Sequence, residues 1–215
     1  MSKWSKIYKK QINEFRDIDS FIKYKINYKK ILIRFILKNV PKKGKILEIG
    51  CGSGVTCDYL SKEGYEVTGI DIDKDMLKLA ENIANKVHAF PKFMKVNLKS
   101  LDFPKKYFDV AFSDGVLEHF SDREIISIIN DQLNVAKIVI ISVPSNHFKK
   151  EQRILGDERF MDIKKWEIII SKTKGKEIKR FGFGFQGLYH EILYPFLKKK
   201  MIKNLPFIGF VIKNP

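Results

Sequence analysis

The chain has 215 residues, with 44% hydrophobic, 13% aromatic and a formal net charge of +16. That much apolar material builds a core, which excludes a disordered tail or a small stapled module. Two cysteines exclude a disulfide framework and four histidines a His-rich metal cage, so a reducing compartment and no metal are expected.

In chain order, residues 20–38 place Phe21, Tyr24, Tyr28, Ile31, Leu32 and Phe35 at three- and four-residue spacing. This predicts one amphipathic helix, ended by Pro41 and Gly44. Short strands and helices then alternate: a strand over 45–49, a Gly-rich turn and a helix to about Lys62, a strand over 65–71, and a helix over 74–86 with Asp73 as N-cap. Strands over 92–97 and 107–113 follow, then a helix over 122–134 starting near Ser121 or Asp122, and a β-branched strand over 136–143. After Pro144 a helix is predicted over 162–172 and strands over 176–185 and 207–213. This alternation predicts an α/β, Rossmann-like, doubly wound sheet. Seven mostly parallel strands are expected, with a late antiparallel strand, helices on both faces and an N-terminal helical cap. The expected division is a cap over 1–43 and a catalytic-type domain over 44–215, split into halves 44–145 and 146–215.

Charge is segregated along the chain. Residues 1–45 carry a net +11, residues 46–145 a net −4 and residues 146–215 a net +9. Basic flanks favour anionic partners, yet Lys outnumbers Arg 35 to 6, which points more to compositional bias than to phosphate reading through Arg forks. The start MSKWSKIYKKQ is too basic for a secretory leader. Arg34 and Lys137 interrupt the longest apolar runs well short of the roughly 18 residues of a spanning helix. A soluble, cytoplasmic protein is expected.

Three segments carry chemistry. In Lys45-Ile-Leu-Glu-Ile-Gly-Cys-Gly-Ser-Gly54 a strand ends in Glu48 and Gly50, Gly52 and Gly54 alternate before a helix. Such glycines bring a ligand against bare N–H groups at a helix N-terminus. The pattern departs from the dinucleotide fingerprint, because Val55 stands where the third glycine belongs. Asp71 ends the second strand, 21 residues after Gly50, where a carboxylate can accept ribose hydroxyls. Its alternative role, helix N-cap, fits Asp73 better. The third segment, Phe108 to Phe120, delivers polar residues to the carboxyl edge of the sheet, where ligands bind in such folds.

LEIGCGSG, GIDID and FDVAFSDGVLEHF, in this order and spacing, resemble the class I S-adenosylmethionine-dependent methyltransferases, especially the type 11 branch, over residues 44–145. The resemblance implies S-adenosylmethionine as cofactor. By this likeness Glu48, Gly50, Cys51, Gly52 and Gly54 hold its methionine end and Asp71 its ribose. Ile72 and Leu98 would flank the adenine, with Asn97 standing where the family often has Asp. Ser113, Asp114, Gly115 and Val116 would line the sulfonium end, and Trp4, Tyr8 and the first long helix would close over the cofactor. Gly156-Asp-Glu-Arg159, followed by Phe160 and Met161, resembles an acceptor-side pattern in some type 11 enzymes, against the alternative of a charged turn. The stretch 181–196 reads as an edge strand or an acceptor lid. Cys51 reads as a small filler.

Methyl transfer asks mainly for positioning, aided where needed by a base. His119 is a candidate base or a loop brace; His147 is the second candidate, and His190 and Glu191 stand further back. The expected acceptor is a small metabolite, sugar or lipid precursor bearing phosphate or carboxylate, since no Asn-Pro-Pro-aromatic signature is present. The alternatives are an RNA methyltransferase whose basic flanks grip the backbone, and a cofactor-binding protein without transfer activity.

Overall fold

The computed structural model describes residues 2–147, 155–184 and 205–214. Three helices come first: α1 (Lys3–Asn13), α2 (Ile18–Tyr28) and α3 (Lys30–Asn39). The single helix expected over 20–38 is therefore two, joined at Lys29 (φ −92°, ψ 6°). The joint aims the Lys29 ammonium into the molecule, where it meets Asp114 at 2.9 Å. Helical spacing of apolar residues continues across the joint, so periodicity alone could not reveal it.

The remainder alternates as read: β1 (Lys45–Ile49), α4 (Val55–Lys62), β2 (Glu66–Asp71), α5 (Lys74–Lys86), β3 (Lys92–Lys95), β4 (Phe108–Asp114), α6 (Asp122–Val135), β5 (Ala136–Pro144), α7 (Ile163–Ser171), β6 (Lys176–Phe183) and β7 (Phe207–Lys213). Asp73 caps α5 by accepting from the Asp75 and Met76 amides, and Ser121 with Glu124 forms a capping box on α6. A 3-10 turn, Leu117–His119, was not expected.

One seven-stranded sheet runs β3-β2-β1-β4-β5-β7-β6. Strands β1 to β5 are parallel, and β7 inserts antiparallel between β5 and β6. The strand order reverses between β1 and β4, which opens a crevice at the carboxyl ends of these strands. Side chains alternate across the sheet: Ile140 and Val211 pack with α3 and α4 on one face, while Val139, Ile141, Phe210 and Ile212 pack with α6 and α7 on the other. Stacked rings couple α3 to the sheet, with Phe35 4.2 Å from Phe181. Gly209 makes room for them, since a Cβ there would lie 2.2 Å from the Phe181 ring. The glycine between aromatics in β7 thus serves packing.

Candidate active site

After β1 the chain turns through Gly50, Gly52 and Gly54 at φ +65°, +55° and +71°. A Cβ on Gly50 would stand 2.6 Å from Val116, so only glycine fits both the backbone angle and the space. The Cys51 amide donates to the Ile70 carbonyl at 3.0 Å. The Gly52 amide donates to Asp71 Oδ2 at 3.0 Å, and Asp71 Oδ1 accepts from the Asp73 amide at 2.9 Å. Asp71 therefore locks the glycine loop to the end of β2. Burial pushes its carboxyl above the usual range, against the pull of these amides.

Beside the loop lies a cavity of about 260 Å³. Asp71, Ile72 and Leu98 line one end, Gly50 and Gly52 the middle, and Gly115 with His119 the other. Trp4 and Tyr8 of α1 line it too, and the Tyr8 hydroxyl lies 3.3 Å from where a Gly52 Cβ would sit. Apolar edges, a carboxylate and bare loop backbone, in that order, fit a nucleoside with a charged tail.

The other expected cofactor residues sit outside this lining. Gly54 caps α4, and Cys51 is buried, its thiol pushed up by burial and by Glu48, which agrees with a filler rather than a nucleophile. Ser113 is fully buried within β4. Asn97 is exposed and accepts from the Lys99 amide at 3.0 Å. Glu48 lies beneath the loop, where Cys57 Sγ donates to its Oε2 at 2.9 Å and burial pushes its carboxyl up to about 7.

Nearby in α4, Asp58 is 2% exposed and neither of its carboxyl oxygens has a hydrogen-bond partner among the described residues. Burial, then the charge of Glu48, raises it to about 7. A carboxyl raised in the folded state costs stability as pH climbs from about 4 to about 7, and the full cost persists above. Asp58→Asn is expected to gain about 2 kcal/mol at pH about 8 and nothing at pH about 4. Urea denaturation at both pH values checks this.

A second cavity, of about 360 Å³, shares Trp4, Tyr8, Asp114, Gly115 and His119 with the first. Phe15, Phe21, Tyr24, Tyr28, Phe160 and Phe207 give its remaining wall an aromatic part, and Gln11, Glu14, Lys25, Lys29, Glu118 and Glu158 a polar and charged one. Lys25 Nζ stands 5.0 Å above the Tyr8 ring, and burial with the charge of Lys29 lowers its ammonium to about 8. Lys29 pairs with Asp114 and lies 3.4 Å from Thr56 Oγ1. Burial opposes its charge, but Asp114 and Glu48 outweigh burial and hold the ammonium above its ordinary range. Glu118 lines this cavity at 4% exposure.

His119 stands where the cavities meet, edge-on to Trp4 at 6.0 Å. Its Nδ1 lies 2.9 Å from Asp157 Oδ1; a carboxylate only accepts, which puts a proton on Nδ1. Glu158 accepts from the Leu155 and Gly156 amides, and Arg159 bonds the Phe120 carbonyl and Asp122. His119, Asp157 and Glu158 bring potential metal-binding atoms within 4.8 Å of one another, but their bonds already account for them as loop scaffold. The 156–161 segment lines the second cavity through Glu158 and Phe160. His147 is exposed, its amide donating to Ser145 Oγ, and it lines neither cavity. His190 and Glu191, with most of the 181–196 stretch, lie outside the described residues.

Sequence reasoning missed Lys25, Lys29 and Glu118. Both lysines are hidden in a lysine-rich helix, and Glu118 stands beside the more conspicuous His119. The pairing of Lys29 with Asp114 crosses 85 positions, which no local pattern encodes.

Known proteins share parts of this sequence and the fold. Residues 47–127 match the model of the methyltransferase domain family. A ubiquinone biosynthesis O-methyltransferase from Coxiella burnetii is 28% identical over 95 residues, which are 44% of this chain and 41% of that protein. An S-adenosylmethionine-dependent methyltransferase from Clostridium acetobutylicum superposes with a TM-score of 0.68 at 14% identity, covering 99% of this chain and 98% of that one. A magnesium protoporphyrin IX methyltransferase from Synechocystis PCC 6803 with bound SAM gives 0.63 at 17% identity, covering 89% and 80%. The fold is that of the class I, S-adenosylmethionine-dependent methyltransferases. No helix among the described residues is long and apolar enough to cross a membrane.

Proposed function

We propose that the chain transfers a methyl group from S-adenosylmethionine to a hydroxyl of a small, flat acceptor carrying an acidic substituent. The observation that carries this reading is the meeting of two cavities at Gly115 and His119: one fits a nucleoside, and the other is walled by aromatic rings. The bound cofactor supplies an electrophilic sulfonium methyl. Asp71 and the glycine loop hold it, with Ile72 and Leu98 on its apolar side. Gly115 leaves open space where the cavities join, His119 braces that junction through Asp157, and Trp4 and Tyr8 exclude water. Lys25 presents an ammonium to an acidic substituent, and the printed name of the Coxiella relative is that of an O-methyltransferase.

Incubation with methyl-labelled S-adenosylmethionine and either catechol or 3,4-dihydroxybenzoate tests the reading. Labelled methyl ethers are expected, with the benzoate preferred. Label entering RNA and neither phenol would replace this reading with the RNA alternative.

A further inference from the structure

We infer that Glu118 is the residue that takes the acceptor's proton during transfer, an assignment that rests on the hydroxyl-acceptor reading. The carboxyl lines the aromatic cavity and not the nucleoside one. Its Oε1 lies 3.5 Å from where a Cβ on Gly115, one of the residues common to both cavities, would stand. Its Oε2 is buried with no hydrogen-bond partner among the described residues. A buried carboxyl oxygen left without a donor is costly to maintain, and a hydroxyl entering the aromatic cavity would satisfy it.

The 3-10 turn places it there. Leu117 anchors the turn in the core beneath α6, and His119 on the other side is held by Asp157. His119 is thus fixed through Nδ1, whereas Glu118 keeps an uncommitted oxygen on the acceptor side. In the step, the hydroxyl oxygen bonds to the methyl carbon as the carbon–sulfur bond breaks. The electron pair of that bond stays on sulfur, which becomes a neutral thioether, and the hydroxyl proton passes to the Glu118 carboxylate.

Burial, followed by the charges of Asp114, Glu158 and Asp157, raises Glu118 to about 8. Lys25, Lys29, His119, Glu14 and the phenols of Tyr8, Tyr24 and Tyr28 complete the charged or titratable lining of its cavity. The ionised form that accepts the proton therefore accumulates as pH rises toward 8, and transfer to a neutral hydroxyl should rise with it.

The decisive comparison uses catechol, which must lose a proton, and 4-nitrophenol, which is already ionised near neutral pH. Glu118→Gln is expected to lower kcat for catechol about 100-fold, remove the rising limb of its pH profile, and leave 4-nitrophenolate within about threefold of wild type. Glu118→Asp should recover part of the catechol rate. Cofactor affinity, read by calorimetry, should be unchanged, because Glu118 does not line that cavity. Equal losses on both phenols, weakened cofactor binding, or the same selectivity arising from His119→Asn instead would each overturn the assignment. Wild type that binds cofactor and methylates neither phenol overturns it with the hydroxyl acceptor, while the cofactor site stands.

Discussion

Asp71→Ala is expected to weaken S-adenosylmethionine binding at least about 100-fold, read by calorimetric titration against wild type, with S-adenosylhomocysteine affected alike. The substitution acts twice. It removes the carboxylate from the lining of the nucleoside cavity, and it releases the Gly52 and Asp73 amides that this carboxylate accepts. Bonds from two ribose hydroxyls to this charged group would contribute about 1.5–3 kcal/mol each, so losing both reaches the stated factor, and release of the two amides unsettles the loop besides. Asp71→Asn separates the two roles, since its amide oxygen can still accept one backbone N–H. It should keep the fold and glycine loop while losing most of the affinity. Unchanged binding in a folded Asp71→Ala protein would remove Asp71 from the site and with it the proposed place of the ribose.

The parallel sheet was legible because its strands are buried on both faces and are written as continuous apolar runs, as in Ala136–Val143. The glycine loop was legible because three closely spaced glycines after a strand have few structural uses. Asp71 could be placed by its spacing, and Asp73 by its cap position. What stayed hidden depends on contacts distant in sequence. Glu48, grouped with the loop, supports it from below through Cys57 and Lys29, and Asn97 spends its oxygen on its own turn. The second cavity is assembled from α1, α2 and the Lys29 joint, the turn after β4, the segment after β5 and the start of β7. Only their packing brings Lys25, Lys29 and Glu118 together, and a lysine on a basic helix carries no mark that its partner lies on β4. The fold does not select an acceptor either, because the cavity wall is made by elements appended to the shared sheet.

Lys29→Met is expected to destabilise the protein by about 3–5 kcal/mol near pH 8, the usual cost of removing one partner from a buried ion pair. Its side chain is 20% exposed and that of Asp114 10%, so water replaces the lost ammonium only in part. Asp114 Oδ1 already lacks a hydrogen-bond partner among the described residues, and Glu48 would lose its nearest opposing charge. In wild type the lysine's own contribution is fully present below the ordinary lysine range and is lost only as pH rises through its raised value. In the variant the change moves to the acids. Without the cation Glu48 is pushed further up, and a raised carboxyl loses stability as pH rises. The defect should therefore be smaller near pH 5 than near pH 8. Asp114→Asn in the Lys29→Met background should recover part of it, because it removes the orphaned charge, and a double-mutant cycle in urea measures that coupling. A defect equal at both pH values with no recovery would mean that Lys29 acts through its aliphatic stem alone. Because Lys29 joins α2 to α3 and reaches the end of β4, loss of this pair should also loosen the aromatic cavity, raising KM for the acceptor more than it weakens cofactor binding.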